Sequence, residues 1–236
     1  MPNYDDNRPV VPALVFSPHF DDGILSCGAF LAQRPGSVVA TAHTARPSDN
    51  KPGNWDLTCG FGSASEAMDV RVGEDQIALK TVGASSEYGC ALDSQYPSEI
   101  ADHRQLLVEF MRKVLDAYST DAVLIPLGLV HRDHIETRDA ALSVCRERPS
   151  IRNRCALYTD LPYGPRFPES IAQALEDVAN LGWEAEEARR LVDPDLEKKL
   201  SAVNAYESQV RTMFGLPGFH YSQVLTEEYR TLRFSD

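Results

Sequence analysis

The chain has 236 residues, enough for a large hydrophobic core, and its 43% hydrophobic and 25% charged composition is typical of a folded globular protein. Its formal net charge of −12 argues against nucleic acid as a partner, because binding a phosphate backbone requires clustered lysine and arginine. No apolar run approaches the roughly 18 residues of a membrane span, and the first residues lack the layout of a signal peptide. We expect a cytoplasmic protein without a membrane span, with one domain over residues 1–236 and with homo-oligomers left open.

The first half of the chain alternates strand-like and helix-like segments. Apolar runs and helical periodicity predict a strand over residues 12–16, a helix over 23–32, a strand over 37–42 and a helix over 63–83. Residues 44–62 contain several prolines and glycines, and they are predicted to form a long loop of the kind that is often functional.

The second half continues the alternation. We predict a helix over residues 99–118, a strand over 122–127, a helix over 135–146, a strand over 155–158, a helix over 170–180 and a charged amphipathic helix over 197–213. The acidic stretch 183–187 is interpreted as a solvent-exposed face. Alternation of this kind predicts an α/β fold with a mainly parallel, Rossmann-like sheet flanked by helices.

Two short loops rich in histidine and aspartate follow two of the predicted strands. The first reads SPHFDD over residues 17–22, and the second reads HRDH over residues 131–134. In an open parallel sheet such loops emerge at the carboxyl edge, where ligands bind. Together they offer enough imidazoles and carboxylates to hold one divalent metal ion and to leave a free acid and base.

Three of these side chains suit a catalytic metal site. His19, Asp22 and His134 would supply two imidazoles and one carboxylate, and would leave an open position for water. Asp21 adjoins a ligand but cannot easily share the ion, because neighbouring side chains diverge. We therefore expect Asp21 to act as the general base that removes a proton from the attacking water.

The remaining histidine and aspartate of the two loops, His131 and Asp133, suit the other side of a substrate carbonyl. A protonated His131 would stabilise an oxyanion there and pass a proton to a leaving group. Asp133 is predicted to orient this imidazole and to raise its pKa.

The two loops resemble those of the PIG-L/LmbE-like zinc-dependent N-deacetylases, which include N-acetylglucosaminyl deacetylases and remove acyl groups from amino sugars and related conjugates. The resemblance is carried by SPHFDDGILSCG over residues 17–28 and by PLGLVHRDH over residues 126–134, followed by Ala140. Further similar segments extend over most of the chain: Trp55-Asp56, Cys59-Gly60-Phe61, Arg71 with Glu74, residues 92–96, residues 160–163 and residues 206–209. The resemblance implies the same ligands and catalytic roles, with Zn²⁺ as cofactor, although Fe²⁺ also accepts these ligands.

The chain departs from the family pattern at three positions. The usual first motif reads H-P-D-D-E, and here Phe20 and Gly23 replace its proline and glutamate. Some members also carry a catalytic tyrosine two residues before the histidine of the second motif, where this chain has Leu129. Carbonyl polarisation would then depend on the metal and His131, or on another residue.

Several further residues are candidates for substrate binding. The resemblance suggests a substrate-contacting arginine, loop aromatics could stack on a sugar ring, and a histidine near the C-terminus could line the entrance. These candidates are Trp55, Arg71, Asp93, Tyr96 and His220. His43, at the end of a predicted strand, is interpreted as a structural histidine.

These observations predict a zinc-dependent hydrolase that removes an N-acyl group, most simply acetyl, from an amino sugar or a sugar-containing small metabolite. One alternative is a non-haem iron(II) oxygenase that uses a His-x-Asp…His triad, although such sites normally have an all-β scaffold. Another is a catalytically silent small-molecule binding module of the same fold. The three departures favour this module, whereas the presence of every ligand and base position weighs against it.

Overall fold

The computed structural model describes residues 11–97, 103–192 and 194–234, and a mainly parallel sheet passes through the middle of the protein. Its strands are β1 (Ala13–Ser17), β2 (Val38–Thr41), β3 (Ser85–Tyr88), β4 (Ala122–Pro126), β5 (Cys155–Tyr158), β6 (Trp183–Ala185), β7 (Arg189–Arg190) and β8 (Glu228–Phe234). Five strands run parallel in the order β3-β2-β1-β4-β5, and β8 pairs antiparallel with β5, β6 and β7. The predicted α/β class with a mainly parallel, Rossmann-like sheet is confirmed.

Helices cover both faces of this sheet. They are α1 (Asp22–Ala32), α2 (Asn54–Thr58), α3 (Ala64–Val82), α4 (His103–Ala117), α5 (Arg132–Arg146), α6 (Pro149–Arg152), α7 (Tyr163–Arg166), α8 (Glu169–Asn180), α9 (Leu196–Asn204) and α10 (Glu207–Met213), with a 3₁₀ turn at Tyr221–Val224. Successive strand residues point to opposite faces, so Ala13 and Val15 pack with α1, α3 and α9, whereas Leu14 and Phe16 pack with α4, α5 and α8. None of the described helices is long and apolar enough to cross a membrane.

Strand order places β1 beside β4 at the topological switch point of the sheet, where the strand order reverses. The chain moves from β1 to β2 on one side, and β4 and β5 follow on the other. The loops after β1 and β4 therefore diverge and leave a crevice at the carboxyl edge, which is the usual ligand position in open α/β sheets. Both histidine-containing loops lie at this position.

One loop prediction and one helix prediction need correction. The predicted loop 44–62 contains the short helix α2, and the predicted helix 197–213 is two helices, α9 and α10, separated at Tyr206. The Tyr206 side chain is fully buried and hydrogen-bonded to residues distant in sequence, an interaction that helical periodicity does not register. Residues 99–102 of the predicted helix 99–118 lie outside the described residues.

The structure also contains strands that the sequence patterns did not indicate. Trp183, in the stretch interpreted as exposed, is 1% exposed within β6, where it packs edge to face against Phe234 of β8. Only three residues long, β6 is too short for a clear alternating pattern. The edge strand β3 reads SSEY and has no apolar run, so neighbouring strands rather than local composition determine it.

Candidate active site

The loop after β1 is held by hydrogen bonds within itself. The Ser17 hydroxyl donates to the carbonyl oxygen of His19 at 2.6 Å and accepts from the Gly23 amide at 2.8 Å. The His19 amide donates to Asp22 Oδ2 at 2.9 Å. A Cβ at position 23 would lie 3.1 Å from Ser17 Oγ and from a Val39 methyl group, which accounts for glycine where the family motif has glutamate.

Phe20 stabilises the same loop from the other side. Its ring is buried edge to face against Tyr88, with ring centroids 5.5 Å apart, and its carbonyl oxygen accepts from the Tyr206 hydroxyl at 2.9 Å. The Tyr206 hydroxyl also lies 2.7 Å from Asp75 Oδ1. The loop is therefore anchored to α3 and to the α9–α10 junction without the proline of the family motif.

Two imidazoles and one carboxylate converge between the loops. His19 Nδ1 lies 3.0 Å and His134 Nε2 lies 3.1 Å from the same oxygen, Asp22 Oδ2. The outer nitrogens face other carboxylates: His19 Nε2 is 2.9 Å from Asp133 Oδ2, and His134 Nδ1 is 2.6 Å from Asp160 Oδ1. These outer carboxylates favour the N–H on the outer nitrogens, so with a metal ion bound both ring lone pairs would point towards Asp22.

This arrangement fits a divalent metal ion. The buried Nε2 of His134 has no hydrogen-bond partner among the described residues, although a carboxylate oxygen lies beside it. Ligand atoms of His19, Asp22 and His134 lie within 4.8 Å of one another, and two imidazoles with one carboxylate suit Zn²⁺ or Fe²⁺. Burial lowers the pKa of His134, but the charges of Asp22 and Asp160 outweigh it and raise the pKa to about 9, so the site favours positive charge.

Asp133 has a different partner from the one that the sequence indicated. Its Oδ2 lies against His19 and accepts from the Ser94 amide at 2.9 Å, and burial together with the charge of His19 lowers the pKa of His131. The charge of Asp133 does raise the pKa of His131, as predicted, but burial and the charges of His19 and His134 outweigh this contribution, so the expected protonated His131 is not favoured. Asp133 and His131 are two residues apart at the start of α5, and side chains at this spacing do not face each other on a helix.

Asp21 has the properties expected of a base. It immediately precedes α1 and lines the cavity, and its carboxylate lies close to Asp22, His19 and its own backbone amide. Burial and the neighbouring charge of Asp22 raise its pKa to about 7. The carboxylate is thus available to take a proton near neutral pH and to release it again.

Tyr163 supplies a phenol to the cavity, whereas Leu129, which replaces the tyrosine of some family members, does not. Leu129 is fully buried in the apolar core, whereas Tyr163 at the start of α7 lines the cavity. Its ring centroid lies 5.3 Å from that of His134 and 5.9 Å from that of His131, which also lines the cavity. Burial raises the pKa of Tyr163, so its hydroxyl stays protonated.

The cavity beside these residues has a volume of about 270 Å³ and is lined by both apolar and polar residues. The apolar residues are Phe20, Trp55, Met68, Met213, Leu216 and Phe219. The polar residues are His19, Asp21, Asp22, His43, Arg71, Asp93, Gln95, His131, Tyr163 and Gln209.

The five predicted substrate-binding residues divide into two groups. Trp55, Arg71 and Asp93 line the cavity. Tyr96 does not: it is buried behind the arginine, and its hydroxyl donates to Asp56 Oδ2 at 2.7 Å, while Asp56 Oδ1 lies 2.7 Å from Arg71 Nη2. His220 is exposed and absent from the described cavity wall.

Trp55 and Arg71 are both held by neighbouring side chains. Trp55 Nε1 donates to Gln209 Oε1 at 2.6 Å, which connects α2 with α10 across the cavity. Arg71 is 5% exposed, and its Nε has no hydrogen-bond partner among the described residues. Arg71 therefore retains a donor for an oxygen atom of a bound molecule.

Sequence reasoning gave too little weight to two residues. Asp160 follows β5 closely and orients His134, while its Oδ2 accepts from the Gly128 amide at 3.0 Å. His43 follows β2 closely and was interpreted as structural, yet it lines the cavity, and burial lowers its pKa. Considering the carboxyl end of every predicted strand, rather than of two, would have identified both.

The comparisons with known proteins concern the fold. No family model and no curated protein matches the chain. Among solved structures, it is similar to the zinc-inhibited form of teicoplanin deacetylase Orf2, at 24% identity and a TM-score of 0.76, over 95% of this chain and 99% of that one. It is also similar to the A40926 pseudoaglycone deacetylase Dbv21, at 23% identity and a TM-score of 0.75, over 97% and 100% of the two chains. The chain has the LmbE/PIG-L-type deacetylase fold.

Two further structures qualify what the LmbE/PIG-L-type fold implies. A deacetylase from the teicoplanin biosynthesis pathway, in complex with bog, has 26% identity and a TM-score of 0.75 over 95% of this chain and 99% of that one. The 4-carboxy-2-hydroxymuconate hydratase GalB from Pseudomonas putida KT2440 has 17% identity and a TM-score of 0.56 over 95% and 97%. Because a hydratase shares the fold, the reaction has to be argued from the site itself.

Proposed function

We propose that the protein is a divalent-metal-dependent amide hydrolase, with Zn²⁺ as the preferred ion and Fe²⁺ as an alternative, and that residues 1–236 form one such domain. It removes an N-acyl group, most simply acetyl, from an amino sugar or a sugar-containing small metabolite. The observation that carries the proposal is the convergence of His19, Asp22 and His134 on one point in a cavity that the carboxylate of Asp21 also lines. The deacetylases that share the fold support the same reaction class.

The proposed roles follow from the position of each side chain. A divalent ion held by His19, Asp22 and His134 would polarise the acyl carbonyl and lower the pKa of the attacking water. Asp21 accepts the proton of that water as its oxygen bonds to the acyl carbon. Asp21 then returns the proton to the nitrogen as the C–N bond breaks, which releases the acid and the free amine.

The opposite wall of the cavity supplies hydrogen bonds to the developing oxyanion. His131 with a lowered pKa is neutral near pH 7, and a neutral imidazole donates one hydrogen bond. Tyr163 contributes a second donor from the start of α7. Donors placed in advance around an oxyanion lower the barrier because they need no reorganisation during the reaction.

The two alternatives have less support. An iron(II) oxygenase triad is expected on an all-β scaffold, whereas this site lies at the edge of a parallel α/β sheet. A silent binding module is disfavoured because Asp21, a buried carboxylate with its pKa raised to about 7, lies beside the convergent ligand set, and perturbed groups of this kind are typical of catalytic sites.

Metal analysis combined with an amine-release assay tests the proposal. The purified protein is expected to hold one equivalent of metal by mass spectrometry and to release free amine from N-acetylglucosamine or its glycosides. Asp21→Asn should retain the metal and lose about 10²- to 10⁴-fold in turnover, because a general base is absent. His134→Ala should lose the metal while remaining folded.

The exposed residue Asp116 provides a control, since Asp116→Asn should change neither metal content nor turnover. Loss of metal in Asp21→Asn would identify Asp21 as a ligand and contradict its role as a base. A metal-loaded wild-type protein that hydrolyses no N-acyl sugar would favour the binding module.

A further inference from the structure

Two loops hold His43 in the wall of the cavity. Its backbone amide donates to the Pro18 carbonyl oxygen at 3.0 Å, and its Nδ1 lies 2.9 Å from the Leu92 carbonyl oxygen. The residue is 2% exposed, and its side chain forms part of the cavity wall. Both the position and the orientation of the ring are therefore determined before any ligand binds.

The Leu92 contact determines which ring nitrogen carries the proton. A carbonyl oxygen can only accept, so His43 Nδ1 carries the hydrogen, and a neutral ring then has a lone pair on Nε2. This Nε2 is buried, and it has no hydrogen-bond partner among the described residues. A buried acceptor without a partner costs roughly 1–3 kcal/mol, which a ligand with a suitable donor would recover.

The surroundings of Nε2 indicate what kind of donor is missing. His43 does not belong to the groups of ligand atoms within 4.8 Å of one another, so it lies outside the metal site, although its ring centroid is 5.7 Å from that of His19. The charged groups that act on His43 are Asp133, His19 and Asp93, and both oxygens of Asp93 already accept from Gln95. His43 Nε2 itself is an acceptor, so its missing partner is a donor on the bound molecule, and a neutral donor avoids repulsion by the nearby cation site.

We propose that His43 Nε2 accepts a hydrogen bond from a hydroxyl group of the sugar substrate, which makes His43 a specificity-determining residue of the reaction proposed above. This inference rests on the proposed function, because it takes the occupant of the cavity to be a hydroxyl-bearing N-acyl sugar. It changes the interpretation of His43 from a structural residue to one that contacts substrate.

Two substitutions separate the substrate contact from a structural role. Asn places its terminal amide near the position of Nδ1, so His43→Asn keeps a donor for the Leu92 carbonyl and removes the Nε2 acceptor. Gln reaches the position of Nε2, so His43→Gln keeps an acceptor in the cavity and removes the Leu92 contact. If His43 contacts substrate, kcat/KM for N-acetylglucosamine should fall roughly 10- to 100-fold in His43→Asn and recover largely in His43→Gln, with metal content unchanged in both.

Deoxy substrates identify the hydroxyl. The 3-, 4- and 6-monodeoxy analogues of N-acetylglucosamine are assayed with the wild type and with His43→Asn. For one analogue, kcat/KM with the wild type should be low, and the His43→Asn substitution should not lower it further. The reason is that the deoxy substrate and the substitution each remove the same hydrogen bond. Activity retained in His43→Asn and lost in His43→Gln would overturn the inference, as would additive losses for all three analogues.

A measurement without turnover keeps this inference distinct from the proposed function. Nitrogen-15 NMR of the imidazole should show Nδ1 protonated and Nε2 unprotonated in the free protein, and the Nε2 resonance should move on titration with N-acetylglucosamine. A protonated Nε2, or a resonance that does not respond to saturating sugar, would overturn the role of His43 even in an active enzyme. Failure of the wild type to release amine while the Nε2 resonance responds would instead refute the hydrolase and leave the sugar contact in place.

Discussion

Asp75 is a fully buried carboxyl group that contacts two tyrosine hydroxyls. The Tyr206 hydroxyl lies 2.7 Å from Asp75 Oδ1 and 2.9 Å from the Phe20 carbonyl oxygen, but it has only one proton to donate. When Asp75 is protonated on Oδ1, below about pH 6, it can donate to the Tyr206 oxygen while Tyr206 donates to Phe20, so both contacts are satisfied. Tyr88 donates to the other oxygen, Asp75 Oδ2, at 2.8 Å, so both carboxyl oxygens of Asp75 have a hydrogen-bond partner.

The pKa gives the magnitude and the sign of the effect on stability. Burial raises the pKa of Asp75 from 3.8 to about 6. A shift of roughly two pKa units corresponds to about 3 kcal/mol, because each unit is worth about 1.4 kcal/mol. Since the folded state binds this proton more tightly than the unfolded chain, the stabilisation is fully present below about pH 4 and is lost as the pH rises through 6.

Asp75→Asn should remove this pH dependence. The amide nitrogen can donate to Tyr206 and the amide oxygen can accept from Tyr88, so the variant reproduces the neutral carboxylic acid without a group that ionises. We expect the free energy of unfolding of the variant to match that of the wild type near pH 4 and to exceed it by up to about 3 kcal/mol above pH 7.

Urea unfolding followed by circular dichroism at intervals between pH 4 and pH 8 measures the difference. The exposed Asp116→Asn variant is the control and should show no comparable trend in this range. A variant that is less stable than the wild type by a constant amount at every pH would show that Asp75 is ionised in the folded protein. The count of protons between Tyr206 and Phe20 would then be wrong.

Three further substitutions test the site. Asp160→Asn should weaken metal binding about 10- to 100-fold, measured by competition with a chelator, because the ring of His134 loses the carboxylate that orients it; an unchanged affinity would exclude this role. Tyr163→Phe should lower kcat by roughly 10²- to 10³-fold at constant metal content if the phenol stabilises the oxyanion, and unchanged initial rates would rule that out. In Gly53→Ala the new Cβ would overlap the Gln95 side chain, so urea unfolding should show a loss of about 1–3 kcal/mol, and an equally stable variant would contradict the tight contact.

Local sequence patterns were sufficient to locate the site. Buried parallel strands are apolar runs followed by polar loops, and the carboxyl ends of such strands lie at one edge of the sheet. Strands β1 and β4 follow this pattern, and their loops contain His19, Asp22 and His134, which the structure brings together. The fold class follows from the same alternation of strands and helices, because the spacing of apolar residues in each segment indicates whether it is a helix or a strand and which of its faces is buried.

The partners of these residues were decided only by the tertiary structure. Asp133 lies against His19, which is 114 positions away, and not against the nearby His131, because the start of α5 turns the two side chains apart. The break at Tyr206 likewise depends on a contact with Asp75 that lies 131 positions away. Spacing along the chain determines which residues share an element, but which acceptor faces which donor depends on how the elements pack.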